Sequence, residues 1–591
     1  MRYVDDLTDA VRSQLARAYG LRDRLGAGLR SRLREGYGVD DLRHDARAGL
    51  AVALVSLPLA LALANAIGIP PQHGLAGAIV AGVVCALLGG SRWQITGPTA
   101  ALVVILHPIA LRHGLGGLLV AGGLAGALLV LMGLAGLGRW MQFIPHPVTT
   151  GLTAGVAVVL GLLQLPDALG LTLATRPDGT VELLGALWAA RATVSGADAA
   201  IAAATLLALA LAPRVLRRAP APLIALVVVA LGAALALHLL DGLTVHTLGT
   251  RFTTVIDGET VRGVPPLPPL PVVPWRLGDA SGAAFAIDYA LVRELLPAAF
   301  AIAVLAAIES LTSAVVADGL AGSKHDPDAE LIALGLGNLV CPFFGGMACA
   351  GAVGRTAANL RAGARSPLAA GFQAVVLIAI TIALAPLFAH VPLAGLAAVL
   401  LAVAASTFEA RHVLRLLRIA PRSDVVVLVT CFALTVLFDL ILAVSVGVVL
   451  AALLFMRRMA VLTRITLDDD RARRLDVPPG IKLYDIAGPM FFGAANLAME
   501  TLGAVDRSAH TVILAMDKVA VMDATGLVAF ESTLDRLGRS GRMVILAAVP
   551  PEPAALFERA GIKRVPGRLA FAPDLETAIS MAIVHAAARP S

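Results

Sequence analysis

The chain has 591 residues, of which 58% are hydrophobic and only 15% charged, and its mean hydropathy is +0.83. This composition excludes an ordinary soluble globule and indicates a polytopic membrane protein. The net charge of +6 does not signal nucleic-acid binding, because the arginines sit at the ends of apolar segments rather than on one soluble face.

Residues 1–44 are polar and arginine-rich, with Leu7, Val11, Leu15, Leu21 and Leu25 at loosely helical spacing. No apolar core with a cleavage site follows the first arginines, so the expectation is a cytoplasmic segment lying on the membrane surface, not a signal peptide. From residue 45 to 460, apolar segments of roughly spanning length recur, about fourteen in all. With the N-terminus placed inside, the loops holding Arg92, Arg139, Arg214, Arg217, Arg218, Lys324, Arg361, Arg365, Arg411 to Arg422, Arg457 and Arg458 fall on the inner side. Both termini are then cytoplasmic in a bacterial inner membrane. The proline-rich stretch at 265–275 reads as a stiff extended loop on the outer face.

Three of the segments are abnormal. The eighth carries Glu309 near its middle, followed by Ser310, Thr312 and Ser313, with no further charge before Asp318. An ionisable residue at that depth marks an ion or proton pathway, the alternative being a structural carboxylate bonded to a neighbouring helix. Asp318, some 13 Å further along the helix, is expected at the cytoplasmic mouth. The third segment begins GPTAA at residue 97, where Pro98 suits a helix's first turn and Thr99 is positioned to cap it. Taken alone, that pattern equally describes a kink. The tenth runs GGMACAGAVGRTAAN from residue 345, and its small residues interrupt the apolar run before Arg355.

If the chain is two inverted repeats of about seven segments, the third and tenth are equivalents whose helix N-termini meet near the midplane. Each exposes free N–H groups and a partial charge of about +0.5, so together they form an anion site. Arg355 either adds a unit charge to that site or pairs with Glu309, and Asn359, one turn on, orients it. Histidines 107, 113, 146 and 390 are expected at membrane interfaces.

The four cysteines lack CxxC spacing, so reduced buried thiols are expected, with neither metal nor cofactor. No catalytic triad or Walker-type loop is present in the sequence, so neither an enzyme nor an ATP-driven pump is expected. Residues 461–591 alternate strands at 482–486, 489–493, 511–516 and 542–549 with helices near Asn496, from Asp523 and from Pro553, the pattern of a small α/β domain.

From residue 45 onward the chain resembles the SulP family of anion transporters with a C-terminal STAS domain. The resemblance rests on LPLALALANAIGIPPQHGL (57–75), ITGPTAALVVILHPIALRHGL (95–115), AIESLTSAVVADGLAGSKH (307–325), RTAANLRAGARSP (355–367) and LTVLFDLILAVSVG (434–447). Within the family it is most similar to bacterial C4-dicarboxylate transporters. Leu59 stands where many sulfate-type members carry glutamine.

The resemblance implies fourteen helices as two inverted sevens, a mobile core beside a gate domain, and a homodimer. It assigns substrate to Thr99 and Ala100 with Pro98 in support, and to Ala352, Val353, Gly354 and Arg355. It assigns coupling to Glu309, with Ser313 and Asn359 supporting. In the STAS domain it points to a regulatory loop at Asp523 and Thr525. Ala524 replaces the serine that relatives phosphorylate, and Thr525 is left to cap its helix or to accept phosphate.

The expected activity is proton-coupled uptake of succinate, fumarate or aspartate by an elevator-like motion, with protons, membrane lipid and a soluble STAS partner as further partners. Symport or exchange of sulfate or bicarbonate is the alternative. A membrane sensor signalling through its STAS domain is the alternative of another class.

Overall fold

The computed structural model of the chain describes residues 24–141, 145–174, 177, 179–215, 220–239, 244–256, 259–278, 283, 287–438, 440–462, 464–491 and 509–588. Leu7, Val11, Leu15, Leu21, Arg217, Arg218 and the helix expected near Asn496 lie outside them. The chain divides into two compact units, residues 1–448 and 449–591.

The first unit is helical. After α1 (Ala27–Arg34) it holds α2 (Val39–Ile67), α3 (Gln72–Leu88), β1 (Thr96–Gly97), α4 (Ala100–Leu134), α5 (His146–Leu169), α6 (Gly196–Val215) and α7 (Ala221–Leu239). A hairpin of β2 (Thr253–Ile256) and β3 (Glu259–Arg262) follows. Then come α8 (Tyr289–Ala321), α9 (Pro327–Val340), β4 (Ala350–Gly351), α10 (Val353–Arg361), α11 (Leu368–Phe388), α12 (Leu393–Phe408), α13 (Ala410–Ile419) and α14 (Arg422–Leu437). Helix α15 (Leu440–Leu462) runs across the boundary between the units.

Among the described residues, seven helices are long and apolar enough to cross a membrane, or eight if the pair Thr180–Thr193 and Gly196–Ala212, bent by 113°, is one span. The sequence count of about fourteen is higher because it includes segments that stop part-way. Helices α3, α9 and α10 have 17, 14 and 9 residues, short of the roughly 20 a bilayer requires. Helix α4 joins two helices at Gly114, whose φ of 63° and ψ of −166° break the ladder.

Glycines let these helices touch backbone to backbone. A Cβ on Gly126 of α4 would lie 2.5 Å from the Leu339 nitrogen of α9, and one on Gly335 of α9 would lie 2.6 Å from the Val130 nitrogen of α4. Small-residue contact of this kind is how helices associate where lipid removes the hydrophobic drive. All four cysteines are free and buried. His107 is no interfacial residue: it is buried within α4, its Nδ1 3.1 Å from the Ile67 carbonyl.

The second unit is a five-stranded sheet in the order β5 (Arg464–Leu467), β6 (Ile481–Ala487), β7 (Thr511–Lys518), β8 (Met543–Ala547), β9 (Leu569–Ala572). Strands β6 to β9 pair in parallel and β5 pairs antiparallel to β6. Helices α16 (Ala524–Arg539), α17 (Pro551–Ala560) and α18 (Leu575–Ala587) complete it, with Phe530 and Phe557 stacked at 5.1 Å between α16 and α17.

Sequence patterning missed β5, β9 and α18. The two strands are four residues each, too short to show a period. The expected strand at 489–493 reduces, in its described part, to a single bridge between Met490 and Met522.

Candidate functional site

The site is built where two chain segments far apart in sequence meet. Strands β1 and β4 pair antiparallel, Thr96 opposite Gly351 and Gly97 opposite Ala350, and the Ala352 amide donates to the Ile95 carbonyl at 3.0 Å. Helix α4 starts three residues after β1 and α10 starts two residues after β4. The short pair therefore sets two helix N-termini side by side, as the sequence symmetry predicts. The N-cap residues Thr99 and Ala352 are both extended, and neither side chain caps its helix. First-turn amides are left open at both starts, the arrangement that attracts an anion.

Thr99 corrects one expectation. Its hydroxyl makes no capping bond and lies instead beside the Glu309 carboxyl.

Arg355, in the first turn of α10, is only 3% exposed. Its Nη2 donates to the Pro98 carbonyl at 2.7 Å, while Nη1 is buried with no hydrogen-bond partner. Of the two roles the sequence left open, the ion pair with Glu309 is not formed: the two charges are within electrostatic range but no salt bridge joins them. A buried guanidinium with one free arm and no paired acid is costly unless an anion completes it.

Glu309 projects from α8 with its Oε2 buried and without a partner. Its neighbours on α8 secure the scaffold. Ser310 Oγ accepts from the Gly351 amide at 2.7 Å, and Ser313 Oγ donates to Thr356 Oγ1 at 3.0 Å. Thr356 Oγ1 also accepts from the Ile95 amide at 3.1 Å. One hydroxyl thus ties α8, α10 and the approach to β1 together.

Asn359 does not orient Arg355, contrary to expectation. Its Nδ2 donates to the Trp93 carbonyl at 3.0 Å, anchoring the chain ahead of β1.

Ala100 is half-buried, whereas Val353 and Gly354 are exposed, and a Cβ on Gly354 would meet no atom within 4 Å. The two helix starts are therefore not equivalent: α10 is open at its first residues and closed at Arg355.

Gln94 and Thr96 were not expected. Both are buried, both amide atoms of Gln94 and the Thr96 hydroxyl are unpartnered, and a Cβ on Gly351 would lie 2.3 Å from Gln94 Nε2. Their spacing of two puts them on one side of an extended chain, but a run this short carries no visible alternation.

Asp318 sits at the end of α8, where it accepts from Ser323 Oγ at 2.8 Å and from the His325 amide at 2.9 Å, and its Oδ2 is 2.6 Å from His325 Nδ1. Among the described residues no cluster of His, Cys, Asp and Glu could hold a metal. In the second unit Asp523, not Thr525, caps α16, accepting from the Gly526 amide at 2.7 Å, and Thr525 is exposed.

A multi-pass helical unit with two facing helix starts and a buried cation, joined in sequence to an α/β domain, defines a membrane anion transporter. The sulfate permease family model matches residues 42–431 and the STAS domain model matches 472–578. The chain belongs to the sulfate permease family.

It is 35% identical to YvdB of Bacillus subtilis, named as a candidate sulfate transporter, over 91% of this chain and 97% of that protein. It is 28% identical to the bicarbonate transporter BicA of a Picosynechococcus strain, over 89% of this chain and 92% of that protein. The solved transmembrane domain of a cyanobacterial BicA matches at 26% identity and a TM-score of 0.58, covering 70% of this chain and all but 2% of that one, being 98% covered. Murine Slc26a9, an anion transporter in an inward-facing state, superposes with a TM-score of 0.79 at 16% identity over 95% of this chain and 94% of its own, a likeness of fold alone. These names are sulfate, bicarbonate and anion; the dicarboxylate expectation draws no support from them.

Proposed function

We propose that this protein is a secondary active transporter of a small inorganic oxyanion, sulfate or bicarbonate, bound between the first turns of α4 and α10. The observation that carries the reading is the β1–β4 pair, which sets two uncapped helix N-termini together next to the free Nη1 of a buried Arg355. Two helix ends contribute about one positive charge and the guanidinium one more. With Glu309 protonated the site balances a dianion; with Glu309 ionised it balances a monoanion. For sulfate, proton uptake at Glu309 is therefore the coupling step in this reading, with proton and anion moving inward together, whereas bicarbonate, a monoanion, binds with Glu309 ionised. Thr99, Ala100, Ala352, Val353 and Gly354 supply the surrounding amides and hydroxyl, and Pro98, Ser313 and Asn359 hold the frame. The protein then works as a homodimer in the bacterial inner membrane, both termini cytoplasmic, with a core domain moving against a gate domain.

The test is uptake of radiolabelled sulfate, bicarbonate and succinate into proteoliposomes under an inward proton gradient, with Glu309→Gln in parallel. Sulfate uptake that collapses with an uncoupler in the parent and no longer responds to the gradient in Glu309→Gln, or bicarbonate uptake that is indifferent to both, supports the reading. Succinate uptake alone, or no uptake of any of the three, overturns it.

A further inference from the structure

Helix α13 is a basic amphipathic helix set between two apolar helices. It is separated from α12 by Glu409, a non-glycine residue at a φ of 42°, and from α14 by extended backbone at Ala420 and Pro421. At about 100° per residue, Arg411, Arg415 and Arg418 fall within an arc of roughly 60° along one side, and Arg422 opens α14 just beyond the break at Ala420 and Pro421. Val413 and Leu416 face the opposite side, where Val413 is 8% exposed and packs with Ala154 and Leu428. Leu414 and Leu417 occupy the arc between those two, and they are 52% and 38% exposed. The helix therefore has a protein face, an uncovered apolar face and a cationic face.

Some arginines of the same unit are held by acids. Arg92, Arg139, Arg251 and Arg365 each have a carboxylate partner. Arg411, Arg415, Arg418 and Arg422 are exposed, and among the described residues no ion pair or hydrogen bond joins any of them to an acid. Asp424, the nearest acid on the following helix, is bonded by Ser423.

We infer that α13 docks on the membrane surface, with Leu414 and Leu417 in the acyl boundary and the four arginines on the phosphates of anionic phospholipid headgroups. Connectivity and chemistry agree on this occupant. A helix linking two apolar helices of a membrane unit lies at an interface, and leucines pointing one way place side chains about 90° round the helix at headgroup depth. A protein partner would have to offer an apolar strip and a row of acids in the same register. A bilayer rich in anionic lipid offers both everywhere. Each arginine near such a surface strengthens the association about fivefold, so four unpaired ones make it sensitive to lipid charge.

The experiment uses the full chain in nanodiscs. All four native cysteines are buried, so Leu414→Cys can be labelled selectively with an environment-sensitive fluorophore. In phosphatidylglycerol-containing discs, a spin-labelled lipid is expected to quench the probe strongly and aqueous iodide weakly. Lipid quenching falls, and iodide quenching rises, in pure phosphatidylcholine, in the quadruple Arg411→Gln, Arg415→Gln, Arg418→Gln, Arg422→Gln variant, and at about 1 M salt, where charges are screened beyond about 3 Å. The salt arm needs no charge substitution and stands if the quadruple variant fails to assemble. Equal quenching in both lipids and at both salt levels overturns the inference. A probe shielded from both quenchers also overturns it, by placing a protein surface over the helix. None of these readouts depends on which anion the protein carries.

Discussion

Arg355 of α10 holds the carbonyl of Pro98, one residue ahead of the N-cap of α4, at 2.7 Å. The side chain that opens one broken helix thus fixes the backbone that opens the other, and the same guanidinium keeps its second arm free. In the proposed site, binding and alignment fall to one residue, so charge and shape are both required of it. Lysine preserves the charge as a single point, without the planar fork.

Arg355→Lys and Arg355→Gln are accordingly both expected to reduce anion uptake at least tenfold at low substrate. Hydrogen bonds to charged groups are worth about 1.5–3 kcal/mol, and 1.4 kcal/mol is a factor of ten. Initial uptake rates at matched reconstitution provide the measurement. Parent-like transport by Arg355→Lys would show that charge alone suffices.

Two glycines, one at each helix start, are expected to differ in what they tolerate. A Cβ on Gly97 would lie 2.6 Å from Arg355 Nη1, closer than unstrained carbon contacts allow, whereas one on Gly354 would meet nothing within 4 Å. Gly97→Ala is expected to displace the guanidinium and lower uptake to a similar degree as Arg355→Gln. Gly354→Ala is expected to transport within about twofold of the parent, the effect of a surface change of roughly ±0.5 kcal/mol. Loss of uptake in both variants would mean that the anion bound at this first turn also packs against the Gly354 Cα, leaving no room for a methyl.

What the sequence made legible, and what it hid, follows from how each signal is encoded. Glu309 and Arg355 stood out because ionisable residues inside apolar runs are rare, and the break at residues 345–359 because glycines interrupt hydropathy. The meeting of the two helix starts was legible only through the repeat symmetry of the chain, and the β1–β4 pair that enforces it is two residues on each side, below any periodic signal. Gln94, Thr96 and Thr356 were missed because a buried polar side chain in so short a segment looks like any exposed one until its neighbours are known. Roles assigned by sequence distance failed where the chain bends: Asn359 is one turn from Arg355 along the helix, yet its amide reaches Trp93. Thr99 failed differently, since it occupies the N-cap position but turns its hydroxyl to Glu309.

On the polar flank of the first unit, Tyr37 donates its hydroxyl to Asp45 Oδ2 at 2.8 Å, and Asp45 also accepts from the Arg365 and Ser366 amides. Burial, then the Asp45 carboxylate, push the Tyr37 phenol up to about 12. A folded value above the unfolded one means the contribution is complete below about pH 10 and is lost as pH rises toward 12. The thermal midpoint should therefore fall between pH 10 and 12, and Tyr37→Phe should fall less over the same interval. Absorbance at 295 nm should also lose its most alkaline phenolate component in the variant. Parallel midpoint curves for parent and Tyr37→Phe would place the titration elsewhere.

In the second unit the start of α16 separates two residues that the sequence grouped as one regulatory loop. Asp523 accepts from the Gly526 amide at 2.7 Å, while Thr525 is exposed on the first turn. Replacing an N-cap aspartate by alanine costs about 1 kcal/mol, so Asp523→Ala should accelerate hydrogen exchange of the α16 amides several-fold. Thr525→Ala leaves the cap in place and should leave that exchange within the roughly ±0.5 kcal/mol of an ordinary surface substitution. Mass spectrometry on peptides covering Ala524–Arg539 reads both variants in the full-length protein. Faster exchange in Thr525→Ala than in Asp523→Ala would return the capping role to the threonine, and with it a hydroxyl too engaged to accept phosphate. The opposite order leaves that hydroxyl in solvent at the positive end of a helix, where an added phosphate strengthens the helix start.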